Sequence, residues 1–190
     1  MKKILQKEEK VLRQVAKEVP TSKIKSLPIK NIIKEMKASL RSQSDGVAIA
    51  APQIGYSLRI FVVSGKIFDK NFITDRKEDK LEENRDPEAK ETARPKDIIF
   101  INPKITKLSR DKEWVPEGCL SVRPLYGKTH RSKKATVVAY DENGDKFERG
   151  GSGLLAQIFQ HETDHLNGIL FIDHAKDVKA EEPEVKRNDQ

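Results

Sequence analysis

Ile32, Ile33, Met36 and Leu40 recur at helical spacing in IKNIIKEMKASLRS, with lysines on the other side, so an amphipathic helix is expected over about residues 28–43. Ahead of it, VLRQVAKEVP reads as a short turn or helical piece stopped by Pro20. SLRIFVVS (57–64) and DIIFINPKI (97–105) are rich in β-branched and aromatic residues and are expected as strands. KATVVAYD (134–141) is a third, followed by DENGDKFE, in which Asn143-Gly144 signals a hairpin turn. Helical spacing returns in GSGLLAQIFQHETDHLNG. There Leu154, Ile158, His161 and His165 form one stripe, and Leu155, Phe159, Glu162 and Leu166 the next, which predicts a helix with a wide buried face. Ser152 stands where it would cap the start of this helix and Gly168 where it would close the end.

Two segments carry no such pattern. Residues 65–96 mix both charges with few apolar positions, and DVKAEEPEVKRNDQ (177–190) does the same, so a charged loop insertion and a polar C-terminal tail are expected. The rest, within residues 1–176, suits a single domain. The expected fold is α+β, with mixed antiparallel β-sheets around a central buried helix that carries the HExxH pattern of His161, Glu162 and His165.

Charge narrows the partners. The net charge is +7; residues 1–41 hold 12 Lys/Arg against 4 Glu, whereas residues 151–190 hold 4 against 8 acidic residues. A basic N-terminal third would suit a polyanion, but no nucleic-acid motif accompanies it, so sequence-specific nucleic acid is not an expected partner and a solvated lysine surface is the plainer reading. No apolar run approaches the ~20 residues that span a bilayer, and MKKILQKEEKVLRQV lacks the apolar stretch of a signal peptide, so a cytoplasmic location and no membrane contact are expected. Cys119 is the only cysteine, which excludes an intrachain disulfide.

The chemistry starts from QHETDHLNG. Residues four apart on a helix share a face, so His161 and His165 would grip one metal ion, and Glu162 beside them would need a charge or donor once buried. The alternative is two core histidines satisfied by hydrogen bonds. A third ligand is required. The extended pattern HExxHxxGxxH fails at residue 171, a Phe; Glu181, Glu182 and Glu184 lie in the polar tail; His130 and His174 fall outside the helix. Cys119, in WVPEGCLSVRP, would leave one position open for water, as catalytic sites do, although a lone cysteine is commonly a small buried apolar residue. In DGVAIAAPQIG (45–55), Gly46, Ala48, Ala50 and Ala51 permit close backbone approach, as an extended peptide pairing with a strand edge requires. Gln53 there would donate to an oxyanion, or else bond its own turn.

In order, GVAIAAPQIG, EGCLSV and QHETDHLNG resemble the three signature motifs of peptide deformylases, with ILQKEEKVLRQVA, INPKI, YGKTHRSKKATVVAYDENG and ILFID extending the similarity to about 155 residues. The resemblance implies removal of the formyl group from the N-terminal formyl-methionine of newly synthesised proteins. It implies that Cys119, His161 and His165 hold one divalent metal, usually Fe2+ in the cell, with Zn2+, Ni2+ or Co2+ as other occupants, and that Glu162 moves the proton of an activated water. Gln53 and the backbone N–H of Leu120 would hold the oxyanion. Substrate would lie along Gly46, Val47 and Ala48 with Gly118 opposite, and Val115, Leu154 and Ile158 would join Val47 around the methionine side chain. N-formylmethionyl nascent peptides, and transiently the ribosome, are the implied partners. The chain departs from the family in Ala48, where glycine is common, in the long insertion, and in a tail unlike the C-terminal helix that docks many bacterial members on the ribosome. The rival readings are a metalloprotease using HETDH alone and a silent paralogue that binds the ribosome or RNA.

Overall fold

The computed structural model describes residues 2–69, 72 and 95–180. Among the described residues the main elements are α1 (Leu27–Arg41), β1 (Ala48–Ala50), β2 (Ile60–Val63), β3 (Ile98–Leu108), β4 (Lys112–Gly118), β5 (Leu125–Ser132), β6 (Lys134–Tyr140), β7 (Lys146–Ser152), α2 (Leu154–Leu166) and β8 (Lys176–Ala180), with several short 3-10 turns between them. The pairs between these strands are antiparallel. One sheet has the order β1-β2-β3-β6-β7 and a smaller one β4-β5-β8. The fold is α+β, as expected.

The larger sheet is covered on both faces, which explains why β2 reads as an unbroken apolar run. Side chains alternate across a strand, so Ile60 and Val62 face Ile33, Met36 and Leu40 of α1, while Phe61 and Val63 face Ile158, Phe159 and Leu166 of α2. Phe61 stacks on Phe100 with ring centroids 4.5 Å apart, and Phe159 meets Phe100 edge-on at 5.3 Å. Helix α2 is also moored to the smaller sheet. Gln160 accepts from the Ser132 N–H at 2.9 Å and donates back to the Ser132 carbonyl at 3.0 Å.

Three sequence expectations need correction. Ser152 ends β7, and the residue before α2 is Gly153, with no side-chain cap. Residues 177–180, expected to begin a polar tail, belong to the strand β8, which pairs with β5; residues 181–190 lie outside the described residues, as does most of the 65–96 insertion. The hairpin β4–β5 occupies a stretch for which no strand was expected.

Gly168 does close α2. The Gly168 N–H bonds the His165 carbonyl at 3.2 Å and the Ile169 N–H bonds the Asp164 carbonyl at 2.9 Å, the two reversed bonds of a Schellman ending. With φ at +75° and a Cβ that would sit 2.8 Å from the Arg13 backbone, the position tolerates only glycine. Gly168→Ala is expected to lower stability by at least about 1 kcal/mol, read as a reduced urea midpoint at unchanged slope.

Candidate active site

Strand β4 runs out at Gly118 and delivers Cys119 beneath α2, whose buried side carries His161, Glu162 and His165. One ligand atom each from Cys119, His161 and His165 lie within 4.8 Å of one another. The Cys119 sulfur is 3.2 Å from His165 Nε2, and the two imidazoles meet edge-on at 4.8 Å. His161 Nδ1 is bonded to Glu117 Oε1 at 2.7 Å, which leaves Nε2 as its free ligand atom. Burial pushes His165 well down toward the neutral form that metals bind. His161 is pushed the other way, against burial, by the Cys119 sulfur and the Glu117 carboxylate on either side. Such a pocket favours a positive charge between them. A sulfur and two imidazole nitrogens at this spacing fit one divalent cation of the zinc or iron(II) type.

Glu162 is 3% exposed and its Oε2 has no hydrogen-bond partner among the described residues. Burial raises its carboxyl to about 7, with the charge of His161 only partly offsetting this. Gln53 approaches from the far side of the cluster. Its Oε1 accepts from the Ala50 N–H at 2.7 Å, which turns Nε2 toward Ser121 Oγ at 3.1 Å and Cys119 Sγ at 3.6 Å. Gln53 thus bonds its own turn and at the same time turns its amide toward Cys119 and Ser121. The Leu120 N–H makes no hydrogen bond with the described residues, while its carbonyl accepts from Gln6.

The expected substrate contacts fall on three elements. Ala48 opens β1, an edge strand of the larger sheet; Gly46 precedes it, and a Cβ there would lie 3.3 Å from Leu120 Cδ1. Val115 and Gly118 belong to β4, an edge strand of the smaller sheet. Val47 and Leu154 are partly buried against the cluster that contains Ile158. His130, by contrast, stacks on Trp114 on the outer side of the hairpin, and His174 sits beside Asp164 at 3.3 Å.

Sequence reasoning missed Glu117 and Arg131. Arg131 grips Glu117 through Nη2 at 2.6 Å and Nε at 3.0 Å, and reaches Asp164 through Nη1 at 2.7 Å. Burial alone would raise the Glu117 carboxyl, but hydrogen bonds and charge from His161 and Arg131 overcome it and hold that carboxyl well below the usual range. Nothing in KEWVPEG marked Glu117 out, since the strand carries no regular apolar alternation.

Comparison with known proteins identifies the family. The polypeptide deformylase family model matches residues 1–181. Peptide deformylase 2 of Clostridium acetobutylicum is 36% identical over 174 residues, covering 91% of this chain and 94% of that protein. A peptide deformylase of Legionella pneumophila superposes with a TM-score of 0.72 at 35% identity, over 93% of this chain and 87% of that one. A peptide deformylase of Synechococcus elongatus, solved in complex with actinonin, gives 0.70 at 32% identity, over 92% and 79%. A class I type b peptide deformylase of Acinetobacter baumannii, solved with Met-Ala-Ser bound, gives 0.73 at 27% identity, over 92% and 98%. The chain therefore belongs to the polypeptide deformylase family, a family of hydrolases.

Proposed function

We propose that this deformylase works at Cys119, His161 and His165, which hold one divalent cation beneath a central buried helix, and that its substrate is a peptide beginning with formyl-methionine. The convergence of those three ligand atoms within 4.8 Å carries the reading. A divalent cation bound there supplies Lewis acidity, which lowers the pKa of water and polarises a carbonyl.

The chain's own groups do the rest. Glu162, with a carboxyl near pH 7 and a free buried oxygen, takes the proton of the attacking water and returns it to the leaving amine. The oxyanion that develops on the formyl group is met by Gln53 Nε2 and the Leu120 N–H. The first is pre-aimed by the Ala50 N–H on its other end, and the second is not spent elsewhere among the described residues. β1 and β4 are both edge strands, which supports an extended peptide lying along Gly46–Ala48 with Gly118 opposite. Val47, Val115, Leu154 and Ile158 would form an apolar slot for an unbranched thioether, consistent with the methionine that begins the peptide bound to the Acinetobacter enzyme.

Formate release from a formyl-methionyl peptide tests the activity, and Cys119→Ser tests the site. Loss of tight cation binding by this variant is the expected result, measured by metal analysis after gel filtration. A variant that keeps its cation would favour a protease-type site built on HETDH alone.

A further inference from the structure

We propose that Thr129 and Gln157 are positioning residues for the cation site, acting through Glu117; the inference rests on the assignment of His161 as a ligand. The Glu117 carboxylate is 3% exposed at its side chain and meets five donor atoms. Oε1 takes His161 Nδ1 at 2.7 Å and Arg131 Nη2 at 2.6 Å. Oε2 takes Thr129 Oγ1 at 2.6 Å, Arg131 Nε at 3.0 Å and Gln157 Nε2 at 3.3 Å. A carboxylate offers about four lone-pair directions, so these donors saturate it.

The donors come from different elements, and this fixes the group. Thr129 stands on β5 opposite Val115, fully buried on the inner side of the hairpin. Gln157 stands on α2, one turn before His161, and also donates to the Pro116 carbonyl at 2.9 Å, tying helix to strand. Arg131 alone would grip the carboxylate from one direction and leave it free to rock about that fork. Thr129 and Gln157 close it from β5 and from α2. The oxygen facing His161 is then held in place, and with it the plane of the imidazole. Partners of this kind around metal-binding histidines typically govern how tightly the ion is held.

Co(II) loaded into the intact protein, followed by competition with a chelator, reads this directly through the loss of its visible absorption bands. Thr129→Val keeps the side chain's shape and removes the hydroxyl; it is expected to release Co(II) roughly tenfold faster, while Thr129→Ser stays within about twofold of the parent protein. Gln157→Leu, at a partly exposed position, should shift the rate in the same direction by less, since its bond is the longest of the five. A parent protein that takes up no Co(II) refutes the cation site itself. A parent that binds it, with Thr129→Val and Gln157→Leu releasing it at the parent's rate, overturns the positioning role and leaves the site standing. Thr129→Ser as leaky as Thr129→Val also overturns it, since packing of the methyl group would then be the cause. Should Thr129→Val fail to fold, the Gln157→Leu rate decides.

Discussion

Replacing Glu162 by alanine is expected to cut formate release from a formyl-methionyl peptide by about 10²–10⁴-fold while the protein keeps its cation. The carboxylate is not among the three proposed ligands, so its removal should take away proton transfer and not binding. Its free Oε2, lying in a site that raises the carboxyl to about 7, marks a group maintained against its own solvation. Stability should not suffer, because no partner is orphaned by the change. Metal analysis and a melting curve beside the kinetic assay check all three points. Loss of the cation together with the activity would mean that Glu162 is a ligand or a structural anchor, and would overturn its proposed role.

Arg131→Met should have the largest effect on stability. It removes both guanidinium bonds from the Glu117 carboxylate, leaving it to His161, Thr129 and Gln157, and breaking a buried, well-formed ion pair from one side costs about 3–5 kcal/mol, on the order of 10 °C in melting temperature for a chain of this size. The comparison is made on cation-free protein, so that lost binding does not add to the difference. The pH dependence has a definite sign. Glu117 has a folded-state pKa below its ordinary 4.5, so the pair's contribution is complete above pH 4.5 and fades as the pH falls from there toward the folded value. The parent's melting temperature should therefore drop faster than the variant's below pH 4.5, narrowing the gap between them. Equal slopes would show that the pair is not what acid removes.

Which parts of the fold were readable follows from what each element buries. α1, α2, β2, β3 and β6 bury aliphatic and aromatic side chains, and their spacing announces them. The β4–β5 hairpin is just as regular, yet its inner side carries Glu117, Thr129 and Arg131, an ion pair with a hydroxyl in place of a hydrophobic face. Polar residues alternate there with polar residues, and Pro116 and Gly118 add turn signals, so no period of two stands out. β8 is exposed along its whole length and exists only through its pairing with β5. The two histidines and the cysteine were legible because few other side chains in the chain are able to bind a transition metal. Glu117 was not, because a lone glutamate in sequence looks like any solvated one.

Cys119 lies at the junction of two sheets and a helix, and it is the chain's only thiol. The sulfur is about nine-tenths buried between the end of β4 and α2, so an alkylating reagent meets it slowly in the folded protein. A cation held there would occupy that sulfur and shield it, so the speed of labelling would report how many molecules carry one.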